Sequence, residues 1–170
     1  MTQFGESFVG EGADAAHVNT VLGESSGPVE TAWVTALATP RAGHVPFVAT
    51  VTSGTAVRPF TLFVNKATIE SDRHAELTWG AAHAGLAAGV MEAVAEGVVA
   101  AADAPGLLLI AAVWVNPEAE NEGRVFENNK EATLGALRAG KEGRPFVGEA
   151  LSARHAPSNA YFSSEAPSPT

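Results

Sequence analysis

The sequence has no cysteine, which excludes disulfides, thiolate metal ligands and a cysteine nucleophile together. Basic residues are scarce as well. Ten lysines and arginines are scattered among 170 residues, against nineteen acidic ones, for a net charge of −9. Gripping a phosphate backbone or an anionic membrane needs clustered cations, so neither nucleic acid nor a membrane is an expected partner. No apolar run is longer than Leu107 to Val115, far short of the roughly 20 residues that cross a bilayer. The opening Met1-Thr2-Gln3-Phe4-Gly5-Glu6 has neither the basic region nor the apolar run of a secretion signal. A soluble, cytoplasmic protein is the expectation.

Familiar chemical signatures are missing too. There is no GxxxxGK[ST] and no GxGxxG between a strand and a helix. Gly10-Glu11-Gly12 is not followed by a helix, and its carboxylate would repel a pyrophosphate. His17, His44, His74, His83 and His155 show no HxH or HExxH spacing, so no metal site is expected.

What is present suits one folded domain: hydrophobic content is 46% and charged content 17%. Phe4 to Val9 and His17 to Leu22 read as strands joined through the turn-rich Gly10 to Asp14. Pro28 opens a helix, with Trp33, Ala36 and Leu37 at helical spacing, and Pro40 and Gly43 stop it. Pro46 to Thr52 and Phe60 to Ile69 read as strands. Ser71-Asp72 caps a long alanine-rich helical region reaching about Gly97, in which Gly80 and Gly85 signal a break or a close backbone approach. Leu107 to Val115 has the continuous apolar character of a strand covered on both faces. A last helix runs from about Arg124 to Ala139 and closes at Gly140. The pattern predicts an α+β two-layer sandwich over residues 1–155, with a flexible tail over 156–170.

Three residues invite a functional reading, each beside a plainer one. His17 begins a strand directly after the acidic loop, at an expected sheet edge, where a carboxylate can reach it; position alone favours an ordinary structural histidine. Lys66 falls in line with Leu62 and Val64 on an alternating strand, and Thr68 would share that face. Such a lysine either snorkels to solvent or serves a site, donating to a carbonyl-rich ligand or attacking an aldehyde. His83 lies between small residues that admit a ligand as readily as another helix.

Several blocks in one register carry a resemblance. Gly5 to Gly12 followed by Ala16-His17-Val18-Asn19, then Val64-Asn65-Lys66-Ala67-Thr68-Ile69, then Asn116 to Glu120, then Asn128 to Thr133, together resemble the formaldehyde-activating enzymes. The likeness runs from about Gly5 to Gly143. It implies a fold related to the second domain of a small-subunit ribosomal protein, and a homopentamer with sites between neighbouring subunits. The implied reaction joins formaldehyde to tetrahydromethanopterin, or a related reduced pterin as co-substrate, giving the methylene derivative and water. No prosthetic group or metal is implied. The position matching His17 is the family's proposed acid, and those matching Asn19, Val48, Lys66, Thr68 and His83 are pterin contacts. The family typically has aspartate where this chain has Asn19, leucine where it has Val48 and glutamine where it has His83. Asn19 keeps hydrogen bonding but loses a charge, and His83 brings a ring that can titrate. Two other readings follow: a relative condensing a different aldehyde and amine carrier, or a non-catalytic binder of a pterin or aldehyde.

Overall fold

Strand alternation sorts the side chains of the sheet into two sets, and the two faces meet very different neighbours. The computed structural model describes residues 1–159 and the backbone of 162–163. Strands β1 (Gln3–Val9) and β2 (Ala16–Glu24) pair antiparallel across a short turn at Gly12–Asp14. Helix α1 (Pro28–Ala38) follows, with Pro28 in its first turn. A short strand β3 (Phe47–Val48) and the hairpin β4 (Thr50–Thr52) and β5 (Thr55–Ala56) lead into β6 (Phe60–Asn65). Helix α2 (Asp72–Glu76), a π-helical turn over Leu77–Ala82 and α3 (His83–Ala95) form one continuous helical stretch. Strand β7 (Leu107–Val115) and helices α4 (Glu122–Glu142) and α5 (Val147–Ala153) complete the body. Beyond it, β8 (Ser158–Asn159) pairs with β9 (Phe162–Ser163), and the rest of the expected tail lies outside the described residues.

The main sheet has the order β1-β2-β7-β6-β3 and is antiparallel except for the parallel β6–β7 pair. One face carries Ala16, Val18, Leu22, Phe63, Leu109, Ala111, Val113 and Val115, all buried. Against it pack Leu86 and Val90 of α3 and Val125, Ala132, Ala136 and Leu137 of α4. Each fully buried Leu, Val or Phe here contributes about 1.5–3 kcal/mol of transfer free energy. Alanine and glycine let the layers close up. A Cβ on Gly85 would stand 2.3 Å from the Phe126 carbonyl oxygen of α4, and one on Gly89 2.5 Å from that of Lys130.

The other face carries Glu6, Phe8, His17, Asn19, Val21, Val64, Ile110, Ala112 and Trp114, which are half-buried or exposed. Helix α1 covers one end of it. A Cβ on Gly23, which would point to this face, meets the Val29 side chain at 2.6 Å. The α+β class and the single domain agree with expectation, with α1 adding a partial third layer. The remainder of this face is open in the single chain, so β7, expected to be covered on both faces, is buried on both only at Leu108 and Leu109, and Ile110, Ala112 and Trp114 are half-buried. Among the described residues no helix is long and apolar enough to cross a membrane.

The boundaries differ from expectation where side chains intervene. The strand predicted to run to Ile69 ends at Asn65, whose buried side chain donates to the carbonyls of Gly43 and Ala67 at 2.7 Å each and turns the chain out of the sheet. The strand predicted over Pro46 to Thr52 breaks at Ala49, because the Thr50 N–H donates to His83 Nε2 at 3.0 Å. The final helix runs past Gly140, which packs on the Phe4 backbone, and stops at Gly143 with φ 67°. Asn121 caps its start, accepting from Arg124 N at 3.0 Å. Ser71 caps α2, as predicted.

Candidate functional site

The open face brings together side chains from β1, β2 and the end of β6. Antiparallel register sets Glu6 opposite Asn19 and Phe8 opposite His17. Glu6 Oε1 lies 2.9 Å from His17 Nε2. On the other side of the ring, Lys66 Nζ lies 3.3 Å from His17 Nδ1 and donates to Asn19 Oδ1 at 2.6 Å. Lys66 reaches this spot because its backbone N–H still donates to the Val113 carbonyl, at 2.8 Å, as the chain leaves the sheet. A carboxylate only accepts and an ammonium only donates, so the ring that satisfies both carries its proton on Nε2 and offers the Nδ1 lone pair to the lysine. Partial burial pushes the Lys66 pKa down, and the nearby Glu6 carboxylate opposes that shift.

Beside this cluster is a hollow of about 570 Å³, lined by Phe8, Glu11, Ala13, Asn116 and Glu118 among others. The Phe8 ring, tilted to His17 at 6.0 Å, forms the wall they share. The hollow has room for a small ring system next to the histidine.

Two expectations for His17 change. Its strand is interior, with β1 outside it, so the histidine is not at the sheet edge. Its carboxylate partner comes from β1, whereas Asp14 of the loop accepts from the backbone N–H groups of Glu120 and Asn121, both at 3.0 Å. Glu6 had a signal in the sequence: in a hairpin that pairs Phe8 with His17, it lies diagonally next to the histidine on the same face.

The other candidates lie apart within one chain. Thr68 does not share a face with Lys66, since the strand has already ended; its Oγ1 meets His44 Nε2 at 3.1 Å, while His44 Nδ1 donates to the Asn65 carbonyl at 2.9 Å. Val48 pairs with Leu62, on the open face but four residues up the neighbouring strand from Lys66. His83 sits on the helical side, its ring edge-on to Phe47 at 5.0 Å and Phe63 at 6.0 Å. Next to it is an apolar hollow of about 370 Å³ lined by Val45, Phe47 and Trp79. Burial lowers the His83 pKa, and a hydrogen bond to the Trp79 backbone acts the other way.

The His83 environment has a measurable consequence. The unfolded chain takes up a proton near the ordinary histidine pKa of 6.5, while the folded chain resists it until lower pH. Stability is therefore fully present above that value and falls as pH drops through it. Between about pH 7.5 and about pH 5.5, wild-type Tm is expected to fall more than that of His83→Gln, whose amide can still accept from Thr50 but does not titrate. Thermal melts at the two pH values check this, and equal falls would show that His83 is not the group responsible.

Comparison with known proteins gives a consistent result. The model of the family described as formaldehyde-activating enzyme (Fae) matches residues 4–162. A 5,6,7,8-tetrahydromethanopterin hydro-lyase of Methanosarcina barkeri is 40% identical over 147 residues, covering 86% of this chain and 83% of that protein. A bifunctional enzyme Fae/Hps of Methanosphaerula palustris is 33% identical over 145 residues, 85% of this chain. One from Archaeoglobus fulgidus is 32% identical over 149 residues, 88% of this chain. The matches span only 37% and 38% of those two bifunctional proteins.

Proposed function

The chain belongs to the formaldehyde-activating enzyme family, and from that premise we propose that it is a hydro-lyase joining formaldehyde to tetrahydromethanopterin, with release of water. The observation that carries the reading is the Glu6–His17–Lys66–Asn19 chain of contacts on the open sheet face. A carrier amine adds to formaldehyde to give a carbinolamine. Its hydroxide leaves only when protonated, and the iminium then closes on the second carrier amine. His17 is the acid that protonates the hydroxyl, with Glu6 holding the ring in place through Nε2.

The remaining assignments belong to the same proposal. Asn19 and Lys66 contact the pterin from one subunit, and Val48, Thr68 and His83 do so where neighbouring subunits meet in a cytoplasmic homopentamer. What supports an assembly is the apolar surface left uncovered in one chain: Phe4, Val34 and Leu37 are exposed, two of them on α1. The fold is that of the second domain of a small-subunit ribosomal protein. The pterin is a co-substrate, and no prosthetic group takes part.

The test is direct. Formaldehyde and tetrahydromethanopterin are mixed with the protein, and methylene formation is followed above the spontaneous rate. Acceleration supports the proposal, and its absence overturns it. One observation favours a second carrier: Asn19 Oδ1 and His83 Nε2 are already engaged within the chain, by Lys66 and by Thr50. Turnover of another amine with formaldehyde, without binding of tetrahydromethanopterin, would select that reading. Calorimetric binding of the pterin without turnover would instead mark a binder.

A further inference from the structure

The proposed reaction uses carrier amines throughout, yet the protein places an amine of its own at the acid. Lys66 Nζ is held by an imidazole nitrogen at 3.3 Å and an amide oxygen at 2.6 Å. Among the described residues it has no carboxylate within ion-pair distance, and it lies on the exposed side of the sheet. The chain's other lysines are placed differently. Lys141 Nζ donates to the Gly97 carbonyl at 2.8 Å, and Lys130 lines a hollow with Glu92, Glu96, Glu127 and Glu131.

We propose that Lys66 captures the one-carbon aldehyde covalently on Nζ, as a methylene-iminium, and hands it to the carrier amine. The inference rests on the aldehyde-condensation reading above and adds a covalent step to it. Lys66 first gives a proton to His17 Nδ1, the atom its ammonium already faces, which leaves a neutral amine beside a charged imidazole. The Nζ lone pair attacks the carbonyl carbon, and the oxygen takes a proton from that nitrogen, giving a carbinolamine. His17 returns its proton to the hydroxyl, the C–O bond breaks, water leaves, and the nitrogen lone pair closes the C=N bond. An ammonium and formaldehyde have become an iminium and water, with no oxidant or reductant. The carrier amine then adds to the methylene carbon and its proton passes to Nζ. Lys66 departs as a neutral amine with the electrons of its C–N bond, while the carrier nitrogen's lone pair closes the methylene-iminium on the carrier. The lowered Lys66 pKa agrees with easy release of that first proton.

Asn19 is what makes the lysine available. A neutral amide orients Nζ through one N–H without binding it as an ion. A carboxylate at the same 2.6 Å would hold the ammonium form and withdraw the lone pair.

The experiment uses the full chain, one equivalent of formaldehyde and sodium cyanoborohydride, which reduces a methylene-iminium to N-methyl-lysine. Peptide mass spectrometry then reads methyl occupancy at Lys66, Lys130 and Lys141. Lys66 is expected to exceed the other two by about tenfold, a modest part of the gain a positioned proton donor gives. His17→Gln and Asn19→Asp are each expected to bring it down toward their level. Equal occupancy at the three lysines of the wild-type chain would overturn the inference, and so would full condensation activity in Lys66→Arg, which leaves the hydro-lyase reading standing. Selective labelling of Lys66 in a protein that does not accelerate pterin condensation would do the reverse: the capture stands and the hydro-lyase reading falls.

Discussion

Replacing His17 with alanine is expected to lower the rate of formaldehyde condensation by about 10²–10⁴-fold, the range that a positioned general acid contributes. The step at risk is loss of hydroxide from the carbinolamine, a leaving group that departs only as water. The ring is fixed on both sides, by Glu6 at Nε2 and Lys66 at Nδ1. It can therefore pass a proton without rotating. Alanine removes the proton carrier and opens the space between Glu6 and Lys66, where those two charges can pair and hold the lysine as an ammonium. Both roles proposed for the cluster would then fail together.

The fold itself has little stake in this residue, because the His17 side chain is 33% exposed and stands outside the helical core. Its loss should cost within about 1 kcal/mol of stability, in line with other partly exposed substitutions. The paired measurement is initial rate above the uncatalysed background together with a thermal melt. A variant that keeps its Tm and loses the rate places His17 in the chemistry. One that keeps the rate within about threefold removes it from the chemistry and with it the acid mechanism.

How much of this was written in the sequence differs residue by residue. The period-two runs at Phe4 to Val9 and His17 to Leu22 are local, so both strands could be read, and Ser71 was legible as a helix cap because capping needs only neighbours. Gly85 also announced itself: α4 lies against it too closely for a Cβ. Glu6 was harder, since its contact with His17 depends on hairpin register and not on its own neighbours in sequence. The end of β6 was hidden for a similar reason. Val64 to Ile69 alternates acceptably as a strand, but the Asn65 side chain reaches the Gly43 carbonyl, more than twenty residues away, and ends it. The side of the sheet on which His83 falls is set by where the helical stretch crosses, with a π-helical turn just ahead of it. No periodicity argument reaches that far, because the extra residue in a π turn rotates everything after it.

The closeness of the two layers leads to the other large effect: Gly5→Ala is expected to destabilise the protein by about 3 kcal/mol, at the upper end of overpacking substitutions. Gly5 lies in the middle of β1, on the face under α4. A Cβ built there would be 1.8 Å from the Ala136 carbonyl oxygen, 2.7 Å from its carbon and 2.7 Å from Thr20 Oγ1. The threonine can rotate aside. The carbonyl cannot, because it belongs to the interior of a 21-residue helix. Relief needs β1 and α4 to separate, and α4 carries the buried Ala132, Ala136 and Leu137 into the core. For a chain of this length about 3 kcal/mol corresponds to a fall in Tm of roughly 6–12 °C. Gly148→Ala is the matched control, as a Cβ there meets nothing within 4 Å; in helix α5 it should leave Tm unchanged or slightly raised. Gly5 also precedes Glu6, so any Gly5→Ala protein that still folds should lose condensation activity as β1 shifts the carboxylate away from His17. A Gly5→Ala melt within about 2 °C of wild type would mean that α4 can lift off the sheet at little cost, and that the tight packing of this layer is not what holds β1 in register.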